Sequence, residues 1–524
     1  MAAKVGDRLR LVVRILGQLV AAEVGELARD RRWPLPMLRE VPPPPQSDPA
    51  EDPVSAEQRR AKAVRHALES LGPFYVKLGQ ILSTRPDMVP PAMIAELQNL
   101  HDQVDVRPFS VFEPQLERDL GPDWKYRFDD IDTVEPLGAA SLAQVYRARL
   151  PGGRRAVVKI QRPGIRASVL ADMALLRKAA RIVARTAPKF NELIDLEAML
   201  GSVFDAMEPE LDFTGEAAHM DTARANIRRH RYRTLQVPEV LHATPRVLVQ
   251  SMAPGESVRY TDKRAFSERE RKEIGRELLS FMYRGYFVDR FFHADPHAGN
   301  VFAMPGGPAT LIDWGMVGRL DRRTSLQLMP LLMALATNDG HGLARHWAEM
   351  GRSTSWANFP AFASDMAAFI PRVSSASLDE LNFGVSFTTV LEKATKRGIA
   401  SAPTISLLGK SFANLEGSVR CLAPELALSE VFQSEVRTIL MALVGEMVSL
   451  PQLGRMAMEL MLAGVVAPDQ FRSVLSDAAN RRIALDIRHP LPGPAERGAG
   501  RGRYAGLLAL GALALLLDHR RRIR

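Results

Sequence analysis

The sequence predicts an α+β fold of two lobes, and three observations predict it. Short apolar strands separated by turn signals fill residues 146–160 and 247–251. Apolar stretches on helical spacing dominate residues 320–480, most strongly at 326–336 and 436–450. Between them stands a polar block, His293-Ala294-Asp295-Pro296-His297-Ala298-Gly299-Asn300, followed by Asp313-Trp314-Gly315. Runs of strands followed by runs of helices mark the α+β class.

In chain order, residues 1–40 come first. Leu9, Val12, Val13, Leu16, Leu19 and Val20 form an amphipathic stripe, suited to a membrane surface or to docking on the lobe behind it. Asp7, Arg8, Arg10 and Arg14 interrupt the apolar residues, so no secretory signal is expected. Residues 41–54 read as a Pro-rich linker. Residues 55–125 read as a helical extension. Ser55-Ala56-Glu57-Gln58 predicts a capping box, and Val64, Ala67, Leu68 and Leu71 follow on one face. After Gly72-Pro73, the residues Tyr75, Leu78, Ile81 and Leu82 continue an apolar surface around Lys77. Burying that lysine is costly unless an acid pairs with it; snorkelling to solvent is the equal alternative.

Residues 126–255 read as the strand-rich lobe. Gly138, Ala139, Ala140 and Ser141, with Val145 just after, make a small-residue loop through which backbone could approach a phosphate. A single glycine makes it unlike G-x-G-x-x-G, and taken alone it reads as an Ala-rich turn. Strands at 146–150 and 155–160 flank the turn Pro151-Gly152-Gly153. Ala156-Val157-Val158-Lys159 resembles the Val-Ala-Ile-Lys strand of kinases. A phosphate-binding lysine needs an acid to hold it, and Glu216, opening a helix at 215–229, is assigned that role. The plain alternative is an acid favoured by a helix N-terminus. Strand 247–251 leads through Ala253-Pro254-Gly255 into the next lobe, and Gln250 and Met252 are assigned to the nucleotide pocket.

Residues 256–485 read as a helical lobe built around the polar block. Strands at 301–304 and 309–312 flank Pro305-Gly306-Gly307-Pro308. A symmetric four-residue turn sets Val301 opposite Ile312 and Asn300 opposite Asp313, roughly 5 Å apart. An amide oxygen and a carboxylate at that spacing suit magnesium, which takes oxygen ligands. Asp295 precedes Asn300 by the spacing that separates base from metal-binding Asn in a kinase loop. Pro330 is expected to start or kink its helix, and residues 418–424 carry no assigned chemistry.

The resemblance becomes specific at Lys77-Leu78-Gly79-Gln80, within residues 73–87. It resembles the Lys-x-Gly-Gln signature of the UbiB/AarF family of atypical kinase-like proteins. The loop from Gly138 to Val145 resembles that family's Ala-rich loop, and Glu210-Leu211-Asp212 its Glu-x-Asp motif. The polar block resembles its catalytic loop and metal-binding triplet, and the motifs together span roughly residues 60–430. The resemblance implies an atypical protein-kinase-like bilobal fold with an N-terminal helical extension and a helical C-lobe. It further implies that Lys77 pairs with Glu210, that Gln80 faces the nucleotide pocket, and that the Ala-rich loop alters nucleotide preference and suppresses self-phosphorylation. Its members act in ubiquinone biosynthesis or quinone and lipid homeostasis, as ATPases more readily than as protein kinases. Ala298 stands where the family often has Pro, and Trp314 where Phe or Leu is usual; neither change removes a ligand.

The expected chemistry follows. Asn300 and Asp313 hold Mg2+ with ATP or ADP, and Lys159, placed by Glu216, contacts the α and β phosphates. Asp295 orients or deprotonates an acceptor, water or a small polar lipid. Lys77, Gln80, Glu210 and Asp212 form the regulatory extension. Two alternatives stand beside this reading: a small-molecule phosphotransferase with His297 in an open acceptor pocket, and a nucleotide-gated non-catalytic scaffold for quinone or lipid enzymes.

The C-terminal end predicts a membrane contact. Residues 486–504 read as a basic linker, and 505–517 are apolar apart from two glycines. As a helix this hydrophobic segment reaches about 20 Å, short of the roughly 30 Å hydrocarbon core. A marginal anchor at the cytoplasmic face is expected, with pairing between copies as a homodimer. The net charge of +9 suits anionic lipid heads. Membrane lipid or isoprenoid quinone precursors and quinone-biosynthesis enzymes are the expected partners; without a nucleic-acid-reading motif, nucleic acid is not. The single cysteine, Cys421, excludes an intrachain disulfide and suits a reducing compartment.

Overall fold

Strands Ala143–Leu150 and Arg154–Gln161 pair along their whole length, with Leu150 opposite Arg154. The turn between them runs through Gly152 and Gly153, at φ 90° and 80°, where a side chain would be strained. This hairpin is the centre of a six-stranded sheet. Its neighbours are Asp130–Ile131 and Gly138–Ala139 on one side, and Val247–Ser251 then Val240–Ala243 on the other.

The computed structural model describes residues 53–83, 89, 91–100, 106–186, 196–354, 357–375, 383–447, 454 and 458. The predicted N-terminal stripe, the linker up to residue 52, the basic linker and the apolar tail lie outside them. The chain divides into two compact units, Met1–Leu460 and Met461–Arg524, and the described residues all belong to the first. Among them, no helix is long and apolar enough to cross a membrane.

Register decides what each face of the sheet does. Val145 lies opposite Lys159, Lys159 opposite Leu248, and Val157 opposite Gln250. Directly paired residues share a face, so Val145, Val157, Lys159 and Gln250 point together to the front. The alternate residues Tyr146, Ala156, Val158, Ile160, Val247 and Val249 point to the back. There they are buried under Phe109, Phe112, Leu116, Trp124 and Phe128. The front is covered by helix Phe213–His230, whose buried residues Phe213, Glu216, Ala217, Met220, Ala223 and Ile227 recur on a helical stripe. Arg147 and Arg155 share this face but are exposed, whereas Lys159 is half-buried beneath the helix, a placement that demands a partner.

The extension comprises helices Pro53–Leu71, Pro73–Leu82 and Pro91–Leu97. Its first helix begins at Pro53, ahead of the predicted capping box. Ser55 is thus inside the first turn rather than at its cap, because a proline with preset φ is well suited to open a helix. Gly72, at φ 106°, turns the chain between the first two helices. The extension shares one apolar cluster with Leu142 at the tip of the small-residue loop, with Met173 and Leu176, and with Phe204, Met207 and Leu211.

Beyond the hinge, a four-stranded sheet runs Leu235–Gln236, Ala309–Leu311, Val301–Ala303, Glu256–Ser257, and Phe291–His293 pairs with Val317–Arg319. Helices complete this lobe, among them Glu268–Phe287, Arg322–Ala336, Pro403–Leu422 and Leu428–Met447. Pro330 lies inside Arg322–Ala336 and does not start it. The hairpin register differs from the predicted one: Val301 faces Leu311, not Ile312. Met304 leaves the strand to open the turn, since Gly307 N donates to Met304 O at 3.1 Å and Gly306 has φ 75°. Pro followed by a positive-φ Gly at the two central positions is the type II signature, so the loop holds five residues instead of four.

Candidate active site

Lys159 and Glu216 meet where the sheet's front face and the covering helix touch. Lys159 Nζ donates to both Glu216 oxygens, at 3.1 and 2.8 Å, and to Asp313 Oδ1 at 3.1 Å. An ammonium has three N–H donors, and three carboxylate oxygens surround this one. Burial alone would push the Lys159 pKa down, but Asp313 and Glu216 outweigh it and hold it above its ordinary value. Lys159 in turn holds the Asp313 carboxyl well below the usual range, against the effect of burial and with help from Lys77. Burial pushes Glu216 upward, and Lys159 opposes it. Two carboxylates sharing one ammonium leave an excess of negative charge in the cleft, where a cation is favoured.

Asp313 adopts a left-handed backbone, φ 60°, a conformation that costs a non-glycine residue on the order of 1–3 kcal/mol. Its neighbour holds it there. Trp314 is fully buried, its Nε1 donates to Leu311 O at 3.1 Å, and its ring stacks on Phe291 at 6.0 Å. Its carbonyl also meets His219 Nδ1 at 3.0 Å. The bulky ring in place of a smaller apolar residue therefore anchors the triplet.

The predicted catalytic loop is fixed at each step. The fully buried His293 accepts from Asp295 N at Nδ1, 3.1 Å, and its Nε2 lies 3.0 Å from Ile312 O. The neutral Nε2–H tautomer satisfies both bonds, and burial lowers the pKa of this ring. Asn300 Nδ2 donates to Asp295 O at 3.1 Å, so its amide oxygen is the atom offered to a cation. Ile312 N donates to Asn300 O at 2.9 Å. Asn300 is therefore opposite Ile312, and Asp313 comes one residue later than the symmetric hairpin predicted. Asn300 and Asp313 nonetheless bracket the same end of the hairpin.

Asp295 has partners that the sequence did not disclose. Lys410 Nζ reaches its Oδ2 at 2.9 Å and Asn414 Nδ2 its Oδ1 at 2.5 Å. Burial would raise the Asp295 pKa, but Lys410 overrides it and the carboxyl is held below its ordinary value. Lys410, Ser411, Asn414 and Ser418 line one face of helix Pro403–Leu422. Ser411 Oγ donates to His293 O at 2.7 Å, and Ser418 Oγ to Pro296 O at 2.6 Å. The i, i+4, i+8 spacing of Lys410, Asn414 and Ser418 was the available signal, but it resembles any solvated helix face. His297 accepts from Gly299 N at 2.9 Å, bracing the loop.

The upstream assignments divide. In the small-residue loop, Ala140 N donates to Ala143 O at 2.8 Å, and buried Arg162 donates from Nε to Ala140 O at 3.0 Å. Gly138 and Ala139 pair with Val145 and Gln144. Ser141 is buried and so faces protein rather than a phosphate, because Leu142 beside it is drawn into the extension's apolar cluster. Val145 and Gln250 share the Lys159 face, and Met252 N donates to Arg155 O at 3.2 Å at the strand's end. Lys77 pairs with Glu210 at 2.9 Å, both largely buried, so the lysine does not snorkel. A Cβ placed on Gly315 would lie 3.7 Å from Glu210 Oε2 and 3.8 Å from Asp313 Oδ1, which brings the extension's ion pair beside the triplet. Gln80 is half-buried one turn after Lys77 on that helix. Asp212 caps helix Phe213–His230, accepting from Thr214 N at 2.9 Å.

Residues 99–347 match the ABC1 atypical kinase-like domain. The chain is 33% identical over 361 residues to the uncharacterized protein slr0889 of Synechocystis, covering 67% of this chain and 88% of that one. It is 30% identical over 456 residues to a probable protein kinase UbiB of Xanthomonas euvesicatoria, covering 83% and 80%. The chain belongs to the ABC1/UbiB family of atypical kinase-like proteins. The solved structure of Rv3197 with erythromycin, from Mycobacterium tuberculosis, aligns with TM-score 0.50 and 20% identity over 72% of this chain and 97% of that one, a likeness of fold. In this ABC1/UbiB chain, the helix carrying Lys410 and Asn414 lies beyond the matched domain.

The charge cluster sets a pH dependence. Asp313 has a folded pKa below its unfolded value, so its contribution to stability is present above about pH 4 and is lost as pH falls through the folded value. Lys159 has a raised folded pKa, so its contribution is complete below about pH 10 and is lost only as pH rises through the folded value. Unfolding measured from about pH 5 downward towards about pH 2 should show a shallower loss for Asp313→Asn than for the unsubstituted chain. Identical acid limbs would contradict the pairing.

Proposed function

We propose that this chain is a magnesium-dependent, ATP-binding phosphoryl-transfer protein, an ATPase or small-acceptor kinase. We further propose that it supports ubiquinone or other isoprenoid-quinone biosynthesis, or membrane lipid homeostasis. The observation that carries the chemical reading is Lys159 bonded at once to Glu216 and Asp313. Kinase chemistry requires the lysine–glutamate pair and the metal-binding aspartate to be in place together.

The donor set fits the metal. The Asn300 amide oxygen and the Asp313 carboxylate are hard oxygen donors, and magnesium commonly takes one or two protein ligands plus phosphates and water. When bound there, magnesium would neutralise charge on the nucleotide phosphates. Lys159 would exchange its Asp313 partner for the α and β phosphates while Glu216 keeps it aimed. Asp295, held ionised by Lys410, would orient the acceptor through a hydrogen bond and make a weak base. These residues act chiefly by positioning and charge stabilisation.

The acceptor is small in this reading. The Lys77–Glu210 pair brings the extension beside the triplet, which favours water or a small polar lipid over a peptide. Family membership supports the quinone or lipid role. The net charge of +9 and the apolar segment 505–517 support attachment at a membrane's cytoplasmic face, with membrane lipid or quinone precursors within reach.

Asp313→Asn should abolish magnesium-dependent nucleotide binding, measured by calorimetric titration with ATP and ADP; binding unchanged in magnesium would remove the metal assignment. Lys77→Ala should shift the ATP-to-ADP preference or release self-phosphorylation, followed with labelled ATP, because it frees Glu210 beside the site. If both properties stay as they were, the extension has no part in nucleotide control.

A further inference from the structure

Helix Pro403–Leu422 does two different things to the catalytic loop. Ser411 and Ser418 are buried, and their hydroxyls grip the carbonyls of His293 and Pro296. Tyr286 OH, 2.8 Å from Ser411 Oγ, braces that contact from behind. These bonds, with Asn414 on Asp295 Oδ1, already fix the loop. Lys410 is placed differently. Its side chain is 29% exposed and meets an Asp295 that is 28% exposed, at the open edge of the contact. A flexible lysine is a poor choice for holding a loop that two serines and an amide hold already.

We propose that Lys410 is the acceptor-side cation of phosphoryl transfer, its ammonium contacting the transferring phosphoryl group while Asn414 keeps Asp295 aimed at the acceptor. This rests on the phosphoryl-transfer reading above. An acceptor hydroxyl bonded to Asp295 lies within about 3 Å of that carboxylate. The phosphorus it attacks is then in reach of an ammonium placed 2.9 Å from Asp295 Oδ2. One of the three ammonium donors serves Asp295, and the others can serve a phosphoryl oxygen. Charge in the transition state spreads over the equatorial oxygens. Lys159 serves the nucleotide side of that charge and Lys410 the acceptor side.

The step balances simply. The acceptor oxygen forms a bond to the γ-phosphorus, and the bond from that phosphorus to the β–γ bridging oxygen breaks. The electron pair of the broken bond stays on ADP, and the acceptor's proton leaves past Asp295 to solvent. With water as acceptor, the products are ADP, inorganic phosphate and one proton.

The test compares two probes on the full chain in magnesium: ADP alone, and ADP with aluminium fluoride, which mimics the transferring phosphoryl group. Lys410→Met should weaken the aluminium fluoride complex by about a hundredfold, as loss of one transition-state donor does. It should leave ADP affinity within about twofold, because a group that acts only in the transition state adds nothing to ground-state binding. Lys410→Arg, which keeps the charge, should recover most of the loss. Equal weakening of both probes would reduce Lys410 to a structural clamp and overturn the proposal, as would no weakening of either. Failure of the unsubstituted chain to bind ADP in a magnesium-dependent manner would overturn the phosphoryl-transfer reading itself. Magnesium-dependent ADP binding that Lys410→Met leaves intact, with an unweakened aluminium fluoride complex, would overturn the Lys410 role alone.

Discussion

Lys159 Nζ is a single ammonium shared by two carboxylates from different elements, one on the helix covering the sheet and one on the hairpin of the second lobe. The buried end of this cluster is Glu216 with Lys159, while Asp313 stands at the open cleft. Glu216 is 5% exposed, and removing one partner of a buried pair typically costs about 3–5 kcal/mol, because a charge is left without compensation. The strand, the helix and the hairpin are thus tied to one another by charge satisfaction. The left-handed backbone of Asp313 persists because Trp314 is locked by packing and hydrogen bonds on both sides. A nucleotide phosphate arriving at the cleft would compete with Asp313 for Lys159 and leave the carboxylate to a cation. In the proposed reading, the arrangement is a partner exchange that a second anion would complete.

The same logic extends outward to the parts that distinguish this chain. Leu142, at the tip of the small-residue loop, is buried in the apolar cluster of the extension, so that loop and the extension share one packing unit. Glu210, the partner of Lys77, stands beside Gly315. Apolar packing at one end and an ion pair at the other let the extension bear on both the loop and the Asp313-Trp314-Gly315 triplet. Helix Pro403–Leu422 in turn grips the loop 293–300 at three residues, His293, Asp295 and Pro296. Elements on both sides of the matched domain in sequence thus reach residues of the candidate site.

Much of this was legible in the sequence because it depends on local pattern. The turn at Pro151-Gly152-Gly153 fixes the register that puts Lys159 on the front face, and an acid on the apolar stripe of its helix announces that Glu216 needs a cation. The hairpin register was missed by one residue, because the type II turn begins at Met304, a residue with no turn preference of its own. Ser55 reads as a cap but lies behind Pro53, which opens the helix earlier. Ser141 looked available to a phosphate, yet the apolar residue beside it draws the loop tip into the extension. Lys410 and Asn414 were not legible at all. They lie more than a hundred residues from Asp295, and only the packing of the helical lobe brings them there. The pairing of Lys77 with Glu210 was legible only through family resemblance, since either acid of the Glu-Leu-Asp run suits a lysine equally on chemical grounds.

The central claim is that a divalent ion joins nucleotide phosphate to Asn300 and Asp313. Replacing magnesium by manganese makes that junction observable by electron paramagnetic resonance in the presence of ADP. The account predicts that manganese bound with ADP to the full chain couples both to phosphorus and to a carbon-13-labelled aspartate carboxylate, and that the carbon coupling disappears in Asp313→Ala. Manganese coupled to phosphorus but to no aspartate carbon, or a carbon coupling that survives Asp313→Ala, would contradict it.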